Sequence, residues 1–295
     1  MKTKQFFLSS AILIMALSLS FTGCRPNKDK DKDKDTSGAE DNTIADKSFE
    51  DIGQISNEAA SGGLSSYKLA DYDGLLSHCV TVTHDTALNK ITVDFGSANC
   101  LCHDNRYRRG KLFITYTNSV KPEPYTYWDS LTKITITTTP DNSYFVGNDA
   151  SNMHQVIGTK NITNNGHNAA GHMTWIVDVN GQIVKPNNQG TITWTSNRVR
   201  EWLTGEGTPS WQDDSYGVTG TASGTSANGT PFSMNITSQL IRKINCIRWF
   251  VSGTLEFKPG NKPTRYVDFA PPSNGACDDE VWVTINSTVY KIHMH

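Results

Sequence analysis

The chain has 295 residues, 27 Lys plus Arg against 29 Asp plus Glu, 36% hydrophobic and 19% charged residues. One short apolar run and no cationic surplus argue against a polytopic membrane protein and a basic nucleic-acid binder. Seven Trp, ten Tyr and eleven Phe exclude a wholly disordered chain, because such a chain lacks the apolar surface to fold.

Lys2 and Lys4 precede an apolar stretch from Phe6 to Phe21, the charged and hydrophobic regions of a secretory signal. It ends in Phe21-Thr22-Gly23-Cys24, which resembles the lipobox of bacterial lipoproteins, with Phe21 standing where Leu is usual. The expectation is a signal peptide over 1–23 and a lipid on Cys24, with ordinary secretion as the alternative. Several acyl chains anchor stably, since each buried methylene contributes about 0.8 kcal/mol.

Lys28 to Asp35 repeats Lys-Asp four times. Such a run builds no core, so residues 24–47 are expected to be the lipidated cysteine and a charged flexible tether. Lys28-Asp29 is similar to the export signals that follow the lipid cysteine in surface lipoproteins of Bacteroidota. That implies a lipid-anchored outer-membrane protein, exposed at the surface or held in the periplasmic leaflet.

Ser48-Phe49-Glu50-Asp51 has the form of a helix start, followed by Ile52, Ile55 and Ala59 at helical spacing. One short helix or linker is expected over 48–66, ended by Gly62-Gly63. A single domain is expected over 67–295.

From Cys79 onward the period is two. Ile91, Val93 and Phe95 alternate with Thr92 and Asp94, and Leu112, Ile114 and Tyr116 with Phe113 and Thr115; Ile247, Trp249, Val251, Leu255 and Phe257 share one parity. One face for a core and one for water is the antiparallel signature. Turns are expected at Asn165-Gly166, Asn180-Gly181, Asn228-Gly229 and Pro259-Gly260, and Gly-Thr pairs at Gly158, Gly190, Gly220 and Gly253 are expected to open strands. The fold class is all-β: a large antiparallel meander curled into a barrel or sandwich, with at most one short N-terminal helix.

Beyond Cys24 five cysteines remain. Cys79 and Cys100 flank the hairpin formed by 80–84 and 91–95, and Cys246 and Cys277 bracket the last strands. Bridges Cys79–Cys100 and Cys246–Cys277 are expected in an oxidising compartment, with Cys102 free or exchanging for Cys100. A thiolate and imidazole metal site at Cys100-Leu101-Cys102-His103 is the alternative, but its Cys-x-Cys spacing is not that of zinc knuckles. No metal or other cofactor is expected.

The chain offers no nucleophile elbow, zinc-protease helix, phosphate loop or dinucleotide fingerprint, and no catalytic residue is assigned. Glu201, Glu206, Asp213 and Asp214 fall in one connection and form either a carboxylate pair or a solvated loop. Trp202 and Trp211 share that connection, and Trp128 lies in another. These indoles could hold sugar rings or plug the ends of the sheet. Arg106, Arg108 and Arg109 could hold an anion or pair with nearby carboxylates.

Together, Ile91–Gly96, Arg108–Lys111 after the Cys100 region, Thr191–Arg198 with Glu201-Trp202, Gly220–Gly224 and Trp249–Gly253 resemble a family of uncharacterised envelope lipoproteins of Bacteroidota. The resemblance implies a β-rich, lipid-anchored envelope protein and carries no activity with it. The function expected is binding or scaffolding, with a surface glycan-binding module or a carrier of an apolar ligand in a β-barrel cavity as alternatives. The partners are then the membrane, through Cys24, and a glycan or envelope protein, with no nucleic acid.

Overall fold

The computed structural model describes residues 33, 35–61, 75–76, 78–208, 210, 212–246, 250–271, 274–278 and 280–293. Cys24, most of the Lys-Asp run, Trp211 and the strand expected at 247–249 lie outside the described residues. One helix, α1 (Ser37–Ser61), precedes sixteen strands. They are β1 (Thr81–Asp85), β2 (Lys90–Asp94), β3 (Cys100–Leu101), β4 (Tyr107–Arg109), β5 (Lys111–Asn118), β6 (Thr132–Thr138), β7 (Phe145–Gly147) and β8 (His154–His167). There follow β9 (Met173–Val184), β10 (Thr191–Thr204), β11 (Ser215–Thr225), β12 (Pro231–Lys243), β13 (Ser252–Pro259), β14 (Arg265–Asp268), β15 (Glu280–Ile285) and β16 (Thr288–His293).

Every pairing is antiparallel. The path runs β1-β2-β5-β6-β8 and then in sequence order to β16, with β3, β4 and β7 forming a side branch that rejoins at β8. The all-β meander is as expected. Among the described residues no pairing joins β1 to β16, so the sheet is open.

Two neighbouring rows of the sheet account for the composition. One reads Thr115, Thr135, Asn161, Asp178, Asn197, Thr221, Asn235, Glu256 and Tyr266 across nine strands. The next reads Ile114, Ile136, Lys160, Val179, Ser196, Ala222, Met234, Phe257 and Arg265, and all of these are buried. Period two therefore sends the hydroxyls and amides to water and the apolar residues, with a few cations, to the face that α1 covers.

The helix differs most from the sequence expectation. It begins at Ser37, inside the segment expected to be tether, and has 25 residues. Ser48 is no N-cap: its hydroxyl donates to the Ile44 carbonyl in mid-helix. The cap is supplied by Asp35, whose carboxylate accepts from the Ser37 N–H, with Glu40 in the first turn, where the helix dipole favours an acid. The last helical residue, Ser61, directly precedes Gly62. The compact unit that holds the sheet spans Asp35–His295 and so includes the helix, where a domain over 67–295 was expected.

Buried positions on α1 include Asp41, Asn42, Asp51, Ile52, Gly53 and Ile55. At 3.6 residues per turn they cover more than half of the helix circumference, so the sheet wraps the helix. Ion pairs join the two. Asp41 meets Lys185 at 2.9 Å, Asp46 meets Arg198 at 2.7 Å, Glu50 meets Lys160 at 3.3 Å, and Asp51 meets Arg108 at 2.6 Å. Asn42 accepts from the Trp194 indole at 3.0 Å, and Phe49 stacks on the same indole with centroids 5.7 Å apart. The polar residues that read as solvated spacer are those that dock α1.

The turn expectations divide. Asn228-Gly229 and Pro259-Gly260 join β11 to β12 and β13 to β14, but Asn180-Gly181 lies inside β9. Gly181 is there because Phe49 presses on it: a Cβ would stand 2.3 Å from the Phe49 ring. Gly166 lies within β8, where the register slips between Asn164 and Gly166. Of the Gly-Thr pairs, Gly190 precedes β10 and Gly253 is the second residue of β13, whereas Gly158 and Gly220 fall inside β8 and β11.

The cysteines pair as expected: Cys79 with Cys100, and Cys246 with Cys277, at Cα separations of 5.9 and 5.5 Å. Cys102 is free and buried, and burial pushes its thiol pKa up. Cys100 is thus engaged in a bridge and not in a thiolate metal site.

His154 on β8 packs against the helix, its Nε2 2.7 Å from the Ser48 hydroxyl. Burial, reinforced by Arg106, lowers its pKa from 6.5 to about 4. The unfolded chain binds that proton more readily than the folded one, so the stability is present above pH 6.5 and is lost as pH falls toward 4. The loss is at most about 3 kcal/mol. Urea midpoints measured between pH 7 and 4.5 should fall for the wild type and fall less for His154→Gln; parallel pH profiles would contradict this assignment.

Candidate binding site

The antiparallel register sorts the connections between two ends of the sheet. The β1–β2 turn, the β5–β6 connection (119–131), the β8–β9 turn (168–172) and the β10–β11 connection (205–214) lie at one end. The chain enters at the other, where Ser37 meets Asn228 and Asp35 pairs with Lys262.

At the end away from chain entry the inner face changes character. Along β10 the inward residues run Ile192, Trp194, Ser196, Arg198, Arg200 and Trp202, from apolar to cationic and aromatic. Arg200 is paired with Trp175 of β9 and Val218 of β11, and Trp202 with Tyr216, which in turn faces Arg242 of β12. Trp202 and Tyr216 stack with centroids 5.5 Å apart, and Trp175 lies 6.3 Å from Trp202. The Arg200 guanidinium lies 4.0 Å from the Tyr216 centroid and 5.7 Å from that of Trp175, within the range of a cation–π contact.

Glu50 of α1 closes the corner. Its carboxylate lies 3.5 Å from Arg242 and 3.9 Å from Arg200 on one oxygen, and 3.3 Å from Lys160 on the other. Burial opposes its ionisation, but the charges of Lys160, Arg200 and Arg242 outweigh burial and hold the carboxyl well below its usual range. Lys160 is buried and also donates to the Phe49 carbonyl at 2.9 Å. Arg200 and Glu50 keep 30% and 35% of their side-chain surface open to solvent. The corner therefore offers a guanidinium laid on aromatic rings and reachable from water.

The indoles named by the sequence sit differently. Trp202 belongs to β10 itself rather than to the connection after it. Trp128, 53% exposed, lies edge-on to Tyr127 at 4.7 Å, and Leu88, Val120 and Leu131 are exposed on the connections at the same end. From β6 to β10 is three strand spacings, about 14 Å, so Trp128 and Trp202 share an end but not one pocket.

The three arginines lie at the opposite end and are engaged within the protein. Arg108, fully buried, donates to Asp51 and to both oxygens of Asp104 at 2.8 and 2.7 Å. Arg106 pairs with Asp51 at 3.1 Å. Arg109 lies 3.9 Å over the Phe145 ring and donates to Asn99. The carboxylates are likewise divided: Glu201 accepts from Gln239 and lies 2.7 Å from His172, Glu206 lies 2.7 Å from His167, Asp213 accepts from Thr208, and Asp214 is buried.

Sequence reasoning missed Arg200, Trp175, Tyr216, Arg242, Lys160 and Glu50. The signal was the even parity of β10, which continues unbroken from Ile192 to Trp202. The face expected to line an apolar cavity is covered by α1. A groove of about 510 Å³ runs over β10–β13, lined by polar residues such as Asn197, Thr221, Asn235 and Glu256 together with Ala222 and Met234.

These features define a class: an open antiparallel meander wrapped on one amphipathic helix, with a cationic and aromatic corner at the end away from chain entry. No family model, curated protein or solved structure matches the chain.

Proposed function

We propose that this is a lipid-anchored protein of the cell envelope, a relative of the Bacteroidota lipoproteins that it resembles, acting by binding at the end of its sheet that carries Arg200 and the three rings. The N-terminal signal and Cys24 support the anchoring. The single observation that carries the binding reading is the partly exposed Arg200 guanidinium laid on Tyr216 and Trp175 beside Trp202, because stacked flat rings with a charged donor are what a sugar ring or a planar anion requires. No residue is assigned a catalytic role.

Affinity electrophoresis of the full chain through gels containing soluble polysaccharides tests the reading. Retardation by at least one polysaccharide, lost in Trp202→Ala, is the expected result; unchanged migration in all of them would favour a scaffolding role instead. Fatty-acid labelling that disappears in Cys24→Ala is expected for the anchor.

A further inference from the structure

Resting on that binding reading, we propose that the corner formed by Trp175, Arg200, Trp202 and Tyr216 is a subsite for an acidic saccharide, whose sugar ring lies on the indoles and whose carboxylate pairs with Arg200. Charge favours an anion. Lys160 and Arg200 face the one carboxylate of Glu50, and Glu50 approaches Arg200 no closer than 3.9 Å, beyond hydrogen-bond reach. The ion pairs elsewhere between α1 and the sheet are tighter, at 2.6–2.9 Å for Asp51, Asp46 and Asp41.

Shape favours a sugar acid over a bare inorganic anion. The Arg200 guanidinium lies 4.0 Å from the Tyr216 centroid and 5.7 Å from that of Trp175, and a guanidinium is the side chain that pairs with a carboxylate bidentately. Trp175 and Trp202 beside it are partly exposed, and an indole is a flat apolar platform of the kind that a pyranose stacks on. Lys160 is buried under Glu50 and sets the field without competing for the ligand. Glu50 is thus a long-range partner of Arg200, while Tyr216 holds the guanidinium from the ring side.

The test is calorimetric titration of the full chain with oligogalacturonate, with a neutral galactose oligomer of equal length and a sulfated one as comparisons. Oligogalacturonate is expected to bind at least about tenfold more tightly than the neutral oligomer, and to weaken by about tenfold in Arg200→Gln, the size expected for loss of a charge-assisted hydrogen bond. Arg200→Lys keeps the charge and loses the fork, so it should weaken carboxylate binding while retaining most of the salt dependence; this second variant guards against a folding defect in the first. Equal affinity for the neutral oligomer, or an unaffected Arg200→Gln, would overturn the acidic assignment and leave saccharide binding standing. Preference for the sulfated oligomer would overturn the uronate assignment alone. No binding of any oligomer would overturn this inference, and unchanged migration in every polysaccharide gel would overturn the reading on which it rests.

Discussion

Replacing Arg108 with methionine should lower the unfolding free energy by about 3–5 kcal/mol, the cost of removing the buried partner of an ion pair, since Asp104 loses both its hydrogen bonds from Arg108 and the buried Asp51 keeps only Arg106 as a cation. Arg108 has no exposed surface, and its guanidinium is held by Asp51 of α1 and Asp104. Burial works against its charge, but the hydrogen bonds that it donates to Asp104 and the charge of Asp51 outweigh burial and raise its pKa. Tyr144 adds a hydroxyl donated to Asp51 at 3.2 Å. The cluster therefore ties the helix to the β3–β4 side branch at a point with little water to screen it. Asp51→Ala should cost a similar amount, and the double variant Arg108→Met with Asp51→Leu should recover part of the loss, because an apolar pair no longer strands a charge. Urea unfolding with both disulfides intact measures all three. A loss below about 1 kcal/mol in Arg108→Met would place the pair among surface salt bridges, against its burial.

Phe49→Ala should cost about 3–5 kcal/mol, at the upper end for a core aromatic. The ring is buried, stacks on Trp194 and fills the space that Gly181 leaves open in β9. Gly181→Ala should also destabilise, and combining it with Phe49→Ala should not restore stability, because the new Cβ meets the Ile157 carbonyl oxygen at 2.6 Å even without the ring. Thermal unfolding of the two single variants and the double checks this. Rescue in the double would mean that the strand, and not the ring, yields.

Much of the sheet could be read directly from the residues. Alternation in 91–95 and 112–116 places Ile91, Val93, Leu112 and Ile114 in the core, and hairpin geometry paired Cys79 with Cys100. What escaped depends on partners distant in the chain. Asp41 and Asn42 look like tether until Lys185 and Trp194, more than 140 residues away, supply their hydrogen bonds. Asn180-Gly181 has turn chemistry, but tertiary contact with Phe49 uses the missing side chain instead. The pairing of the Arg106–Arg109 cluster with carboxylates could be read from the acidic composition, but not the acids themselves, because Asp51 and Asp104 come from separate elements. Arg200 stayed hidden because Glu201 and Trp202 were expected in a connection, whereas cross-strand pairing carries β10 to Thr204.

Hydrogen exchange across α1 tests most directly whether the helix is the inner layer of this protein. If the sheet wraps it, amides from about Ala45 to Ile55 should exchange only through global unfolding, as slowly as the central strands β9 and β10. They should lose that protection in Arg108→Met and Phe49→Ala. Exchange of these amides within seconds, while β9 and β10 stay protected, would show a helix that detaches from the sheet, and would contradict the account of both the fold and the Arg200 corner that Glu50 completes.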